Sequence, residues 1–327
     1  MKLHRLLLSA GLAFACAPLA HAAECGPLKL VNTVPLTIKG RRVLLPVKIN
    51  DVEQTFLLDT GGSATQISAP AALALKLPVI ESGAKMLDLY GHASTQAVRV
   101  ESFTLGRLRD RATYMPIWPD PELGVKEGFS GLLAADYMGR YDIEFDFAGG
   151  KMNYFMEDHC DGKVIYWPAA AVAIVPMVFR QDHHLRIPVV LNGHTFNAII
   201  DTGAPVSTIM ADEAKRVFGL AGPAPGDPTS VGDGPVAFEH AFDTLSFDGV
   251  TIGNPRMIVI PNLVGKKDAN NGFVTGSRTK RVDDLDATEP PILIGMNVLS
   301  KLHLYVAFGE GKIYVTPATP PPVAASK

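Results

Sequence analysis

Two stretches of the sequence decide the fold: Phe56-Leu57-Leu58-Asp59-Thr60-Gly61-Gly62 and Ala198-Ile199-Ile200-Asp201-Thr202-Gly203-Ala204. Each is an apolar, β-rich run that ends at an Asp-Thr-Gly triplet, and the two triplets lie 142 residues apart. A single triplet would be weak evidence of a site, because Asp and Gly are common where strands end in turns. Two copies in matching surroundings predict two half-sites, each of which supplies one carboxylate to a shared centre.

The surroundings of the triplets repeat at the same spacing. The segment Pro46–Asn50 aligns without a gap with Pro188–Asn192, upstream of each triplet. Downstream, helix-like stretches follow at Ala69–Leu77 and Ala211–Leu220. Short β-type runs separated by Gly, Asn and Pro dominate both halves, so the sequence predicts a mostly β protein.

A second repeated block closes each half. Leu132–Met138 parallels Leu293–Leu299, and a Gly-containing segment follows each block. The spacing from Leu132 to Leu293 is 161 residues, against 142 between the triplets, so the second half is 19 residues longer. Insertions of this kind usually map to loops. The polar, turn-rich stretch Pro261–Pro291 is the expected position, where it would either cover the site or bind a partner.

The triplets, their flanks and the Ile294–Leu299 segment resemble those of a tandem retropepsin-like, or pepsin-like, aspartic protease of the bacterial exported type. The resemblance covers the chain from Leu30 to Val315. It implies two β-barrel lobes that form a pseudo-dimer with a central cleft. It also implies catalytic roles for Asp59 and Asp201. The residues expected to support the active-site loops are Thr60, Gly61, Thr202 and Gly203.

Paired carboxylates carry a specific chemistry. Two carboxyl groups held close together cannot both ionise easily, so the pair shares one proton, as in aspartic proteases. The charged member acts as general base towards a water, and the protonated member donates a hydrogen bond to the scissile carbonyl. This chemistry needs no cofactor and no metal. Gly62 and Ala204 stand where pepsin-like enzymes often place Ser or Thr, so we expect activity at mildly acidic to near-neutral pH.

Each half should also carry a hairpin that folds over the site, as the flaps of this family do. Leu89–His92 is the candidate in the first lobe, where Tyr90 and Gly91 resemble the Tyr-Gly of pepsin-like flaps. Gly232 marks the counterpart in the second lobe. The alternative, a solvent-exposed turn, remains open for both hairpins.

Two departures from the family pattern bear on activity. Ala134 stands where the second lobe has Gly295, and its methyl group would crowd the first active-site loop. Asp136 stands opposite Asn297.

The leading hypothesis is an exported aspartic endopeptidase, and the alternative is a catalytically weak or inactive peptide-binding or sensing module of the same fold. A protease that processes only one partner protein is a third hypothesis.

Composition and the N-terminal sequence limit the classes of function and the cell compartments that the protein can have. The chain has 327 residues, 47% of them hydrophobic and 19% charged, as expected of a globular protein with a large core. A net charge of −3 disfavours nucleic-acid binding. Lys2 and Arg5 precede an apolar run and the small-x-small site Ala20-His21-Ala22, which predicts a signal peptide over residues 1–22. We therefore expect a periplasmic or secreted protein without stable membrane insertion.

The remaining predictions concern domains and partners. Cys25 and Cys160 are an even pair in an exported chain, which predicts a disulfide. The lobes should span residues 28–158 and 164–317, followed by a disordered Pro/Ala-rich tail over 318–327. A chain with both halves should work as a monomer on a peptide or protein substrate. His183-His184 is expected to be a solvated turn rather than a metal site.

Overall fold

The computed structural model of the chain describes residues 25–88, 93–118, 128–179, 183–223, 237–261, 279–281 and 290–318. Within these ranges β-strands predominate and the α-helices are short, so the predicted mostly β fold is confirmed. The predicted signal peptide, the flap residues Tyr90, Gly91 and Gly232, and the tail beyond Ala318 lie outside the described residues.

The first lobe contains most of the long strands. Its elements, in chain order, are β1 (Leu30–Pro35), β2 (Thr37–Lys39), β3 (Arg42–Ile49), β4 (Val52–Asp59), β5 (Gln66–Ile67), α1 (Ala69–Ala74), β6 (Val79–Asp88), β7 (Ala93–Leu105), β8 (Leu108–Pro116), β9 (Gly131–Ala134), a 3₁₀ turn (Ala135–Tyr137), β10 (Asp142–Asp146) and β11 (Lys151–Phe155).

The second lobe repeats this order with shorter strands. Its elements are β12 (Ala173–Pro176), β13 (Val178–Phe179), β14 (Leu185–Leu191), β15 (His194–Ile200), β16 (Thr208–Met210), α2 (Ala211–Phe218), β17 (Phe238–Ala241), β18 (Thr244–Phe247), β19 (Val250–Gly253), β20 (Arg256–Ile260), β21 (Thr279–Arg281), β22 (Ile292–Ile294), α3 (Met296–Leu299), β23 (Leu302–Ala307) and β24 (Lys312–Pro317).

The sheets place the two triplets in equivalent positions. In the first lobe β4, which ends at Asp59, runs antiparallel to β3 and parallel to β9. In the second lobe β15, which ends just before Asp201, runs antiparallel to β14 and parallel to β22. The closing block of each lobe therefore lies beside the triplet of the same lobe.

A repeated turn fixes the register of both hairpins. Asn50 and Asp51 have positive φ angles of 50° and 66°, and Asn192 and Gly193 have φ angles of 45° and 82°. Turns with two left-handed residues match the twist of the strands that they connect. The side chain of each Asn also accepts hydrogen bonds from the neighbouring strand segment, through the amides of Glu101 and Ser102 in one lobe and of Asp243 and Thr244 in the other.

The helices after the triplets begin and end at recognisable caps. Ser68 caps α1, since its hydroxyl accepts a hydrogen bond from the Ala71 amide at 3.3 Å. Gly219 ends α2 in the left-handed conformation with φ 72°. Both helices are shorter than predicted: α1 ends at Ala74 rather than at Leu77, and α2 ends at Phe218 rather than at Leu220.

A six-stranded sheet, in the order β1-β11-β10-β23-β24-β12, joins the lobes. Its central contact is β10 of the first lobe against β23 of the second, with Ile143 opposite Val306. Buried Glu144 on β10 hydrogen-bonds across this contact to His303 at 2.7 Å, and it accepts further bonds from Asn153 and Tyr166. Burial alone would raise the pKa of Glu144, but these hydrogen bonds outweigh it and lower the pKa.

Two further connections reach across the chain. A disulfide joins Cys25 to Cys160 with a Cα–Cα distance of 4.7 Å, as predicted. In addition β21, part of the Pro261–Pro291 insertion, pairs antiparallel with Met86–Asp88 of β6. The insertion of the second lobe therefore extends a sheet of the first lobe, beside the last residues of β6. None of the described helices is long and apolar enough to cross a membrane.

Candidate active site

Asp59 and Asp201 are both buried polar residues at the ends of apolar strands. Their exposed fractions are 0% and 1%, respectively. On β4 the side chains of Phe56 and Leu58 point into the main core, so the alternation of a strand places Leu57 and Asp59 on the opposite face. The apolar run thus holds each carboxyl group rigidly at a position that water reaches poorly.

The two threonines of the triplets bind the loops to each other. The Thr60 amide donates to the Thr202 hydroxyl at 3.1 Å, and the Thr202 amide donates to the Thr60 hydroxyl at 3.0 Å. Each hydroxyl in turn donates to a carbonyl of the opposite lobe, Thr60 to Ile200 at 2.6 Å and Thr202 to Leu58 at 2.9 Å. Because the four bonds are reciprocal, neither loop can shift without the other.

The glycines bring each loop against the carboxyl group of the other lobe. A methyl group added at Gly61 would lie 2.4 Å from the Asp201 carboxyl carbon. One added at Gly203 would lie 2.3 Å from an Asp59 carboxyl oxygen. No side chain fits at either position, so glycine is required for the two carboxyl groups to come together. They do so in direct contact, and Asp59 interacts with Asp201.

Backbone amides of the triplet loops donate hydrogen bonds to both carboxyl groups. Asp201 accepts from the amides of Gly203 at 2.8 Å and Ala204 at 3.1 Å, and Asp59 accepts from the Gly61 amide at 3.2 Å. Burial, followed by the adjacent Asp59 carboxyl group, raises the pKa of Asp201 well above its ordinary value, and the two amides oppose this rise only in part. Burial and the neighbouring carboxyl group thus both favour the protonated form of Asp201.

A second layer braces each triplet loop from behind. In the first lobe the Thr65 hydroxyl donates to Asp136 at 2.6 Å and accepts from the Ala134 amide at 3.0 Å. In the second lobe the Ser207 hydroxyl donates to Asn297 at 2.8 Å and accepts from the Gly295 amide at 3.0 Å. The closing blocks thus hold the active-site loops through one hydroxyl each.

The predicted crowding by Ala134 does not occur. Ala134 is fully buried, and a methyl group added at Gly62 would lie 3.0 Å from its β-carbon. The first lobe therefore has its methyl on the closing block and glycine on the loop. The second lobe has the reverse, with Ala204 on the loop and Gly295 on the closing block. The exchange leaves the brace intact in both lobes.

Sequence reasoning missed Thr65 and Ser207 as supporting residues, although the 142-residue spacing places these two hydroxyl residues at equivalent positions. The expectation of a solvated turn at His183-His184 was wrong for His184, which is completely buried. His183 has φ 64°, so the chain turns there and directs the following residue inwards.

One group of potential metal ligands occurs among the described residues, namely Glu144, Asp146 and His303, with candidate atoms within 4.8 Å of one another. The Glu144 oxygens already accept hydrogen bonds, and the Lys151 ammonium lies 3.6 Å from Asp146. We assign the group to the polar contact between the lobes rather than to a metal site.

The geometry at the triplets suits acid–base chemistry on a carbonyl. A carboxylate that shares one proton with its neighbour can take a proton from water while the other carboxyl group donates a hydrogen bond. The buried surroundings strengthen both interactions because they lower the local dielectric.

The family of the chain follows from its match to a known family profile. The family profile described as aspartyl protease matches residues 45–137 and 187–298, one match in each lobe and together more than half of the chain. No curated protein sequence matches significantly. Among solved structures, the crystal structure of Basic 7S globulin from soybean matches 89% of this chain and 95% of that chain, with 10% sequence identity and a TM-score of 0.44. On the strength of the family match, the chain belongs to the aspartyl protease family.

Proposed function

We propose that this protein is an aspartic endopeptidase that hydrolyses peptide bonds with a water activated by Asp59 and Asp201. The observation that carries the proposal is the reciprocal set of four threonine hydrogen bonds, which holds two buried carboxyl groups in contact. Preorganised groups of this kind lower a barrier because they need no rearrangement during the reaction.

The reaction follows from the shared proton. The ionised member of the pair removes a proton from water as the water attacks the carbonyl carbon, and the protonated member donates a hydrogen bond to the carbonyl oxygen. In the second step the carboxyl group that took the proton from water passes it to the peptide nitrogen, the carbonyl double bond re-forms, and the carbon–nitrogen bond breaks. The pair again holds one proton, as at the start of the cycle.

The substrate would be an extended peptide, whose backbone pairs with strand edges near the site and whose side chains alternate between the lobes. Because one chain contains both half-sites, the protein is expected to act as a monomer. The signal-like N-terminus and the Cys25–Cys160 disulfide favour a periplasmic or secreted location, since disulfides persist in oxidising compartments.

The alternative, an inactive peptide-binding module, rested on Ala134. That residue packs beside Gly62 without disturbing the brace, so it no longer favours the alternative. A carboxyl pair without hydrolytic use would also be costly, because burial opposes ionisation.

The test is cleavage of a proteome-derived peptide library by the purified chain between pH 3 and pH 8. Asp59→Asn and Asp201→Asn should each lower the rate at least about a thousandfold, because each removes one half of the acid–base pair. Both variants should also lose inhibition by pepstatin-type compounds. Asp51→Asn is the matched control, since Asp51 is an exposed hairpin residue paired with Arg109. Hydrolysis retained by either dyad variant would refute the proposal.

The pH profile tests the shared proton. The pair is active while it holds one proton. Because the pKa of Asp201 is raised, the pair keeps this proton to a higher pH than an ordinary carboxyl group would. Activity should therefore peak at mildly acidic to near-neutral pH. A maximum well below pH 4 would contradict this expectation.

A further inference from the structure

Because the chain contains two equivalent lobes, residues at equivalent positions can be compared on the sheet face that carries Asp59 or Asp201. In the first lobe that face has a row of three residues across β3, β4 and β9, with Leu44 opposite Leu57 and Leu57 opposite Leu132. Leu57 is two residues before Asp59, so the row runs beside the dyad. Trp118 and Phe129 pack on the three leucines in a cluster separate from the main core.

The equivalent row of the second lobe contains a cation. Arg186 lies opposite Ile199 on β14 and β15, and Ile199 lies opposite Leu293 on β22. The neighbours of Arg186 along β14, Leu185 and Ile187, belong to the main core, so Arg186 lies on the same face as Asp201. The 142-residue spacing places Arg186 at the position of Leu44.

Arg186 is a buried residue, with an exposed fraction of 7%. Removing a charge from water is unfavourable, and large aliphatic residues can replace buried charges without loss of stability. The first lobe has leucine at the same position, so the fold does not require a charge there. The charge therefore distinguishes the row of the second lobe from that of the first lobe.

We propose that Arg186 determines specificity and that the second-lobe half of the site binds an acidic side chain of the substrate. The inference rests on the proposed peptidase function and adds its substrate class, namely peptides with Asp or Glu at the position that faces this row. Arg186 already interacts with other groups of the chain. A substrate carboxylate would join or replace those contacts.

The chemistry of arginine suits this role. Its planar guanidinium presents several N–H donors in a fork that matches the two oxygens of a carboxylate. A glutamine side chain offers only one oxygen and no charge. A site built around such a donor favours a substrate carboxylate over a neutral amide, because charge-assisted bidentate hydrogen bonds are stronger than bonds to a neutral acceptor.

The experiment compares peptide pairs that differ only by Glu or Gln. Library cleavage first identifies the position at which acidic residues are enriched, and synthetic pairs then give the ratio of kcat/KM for Glu over Gln. We expect this ratio to exceed about tenfold in the wild type. Arg186→Leu, which installs the first-lobe residue, should reduce the ratio to about one. Arg109→Leu, an exposed arginine in the first lobe, is the matched control.

A second variant guards against misfolding. Arg186→Lys keeps the charge but loses the fork, so the ratio should fall to an intermediate value. A wild type without acidic preference, or a ratio unchanged in both Arg186 variants, would overturn the inference.

The same peptides separate this inference from the proposed function. If the wild type cleaves nothing, the peptidase proposal fails, and binding of the Glu and Gln peptides is measured by calorimetry instead. Tighter binding of the Glu peptide by the wild type but not by Arg186→Leu would still support the acidic half-site. Equal binding by both proteins would refute it. If cleavage depends on Asp59 but shows no acidic preference, the function stands and the inference fails.

Discussion

The two lobes are most alike at the carboxyl groups and diverge with distance from them. Thr60 and Thr202 make the same pair of bonds with exchanged partners. One layer further out the methyl group has moved between loop and closing block, and Asp136 replaces Asn297. Reciprocal contacts constrain both copies together, whereas a brace within one lobe can change alone. Symmetry is therefore retained where the lobes meet.

The disulfide is the largest difference between the lobes, since it closes a span of 135 residues around the first lobe only. Replacing Cys25 and Cys160 by Ser should lower the free energy of unfolding by about 3–5 kcal/mol, because the unfolded chain gains conformational freedom. Urea unfolding measures the loss. Hydrogen exchange should show that β1 and β11 lose protection before β14 and β15. Equal loss in both lobes would contradict this asymmetry.

The methyl exchange predicts opposite outcomes for equivalent substitutions. Gly295→Ala would place a methyl group 2.7 Å from the Ala204 carbonyl oxygen and from the Val206 carbonyl carbon, both backbone atoms. It should destabilise the protein by about 3 kcal/mol. Ala134→Gly removes one buried methyl group and should cost only about 1–2 kcal/mol.

A double variant sharpens this comparison. Gly62→Ala alone should be destabilising because of the contact with Ala134. Combined with Ala134→Gly, it recreates the second-lobe arrangement and should recover part of the loss. Thermal unfolding of the four proteins in the cycle gives the coupling. Strictly additive effects would show that the two positions do not share space.

The threonine pair predicts that equivalent substitutions in the two lobes lower the stability equally. Thr60→Val and Thr202→Val each leave a buried amide and a buried carbonyl of the opposite lobe without a partner, at a cost of about 1–3 kcal/mol. The two variants should agree within about 0.5 kcal/mol in urea unfolding, and both should lower kcat. A loss confined to one variant would show that the loops are held independently.

Much of the site followed from the sequence because it is duplicated. The 142-residue spacing predicted two equivalent half-sites, and the resemblance to aspartic proteases implied that Thr60, Gly61, Thr202 and Gly203 support the active-site loops. The repeat of the closing blocks also has a structural counterpart, since β9 and β22 occupy equivalent positions beside β4 and β15.

Other features depend on distances that no pattern encodes. The methyl exchange between Gly62 and Ala134 appears only when the loop and the closing block are brought within 3.0 Å. Burial of His184 depends on the turn at His183, where a positive φ angle redirects the chain. The predicted flap residues remain predictions.

The smallest predicted effect concerns the brace carboxylate. Burial raises the pKa of Asp136, although hydrogen bonds from Thr65 oppose the rise. A carboxyl group with a raised folded-state pKa contributes stability below its unfolded value near pH 4, and this is lost as the pH rises through the folded value. Asp136→Asn should therefore gain up to about 1 kcal/mol relative to wild type at pH 7 and nothing at pH 4. Urea unfolding at both pH values measures the difference.

Asn297→Asp is the converse substitution, and it should act in the opposite direction. The Asn297 amide donates to the Arg256 carbonyl at 2.9 Å, a bond that a carboxylate cannot make. An ionised group there would face the carbonyl oxygen without a proton between them, so the variant should lose stability at pH 7 and recover part of it at pH 4. If Asp is tolerated equally in both braces, the choice of Asn in the second lobe has no electrostatic cause, and the lobes differ at this position only by drift.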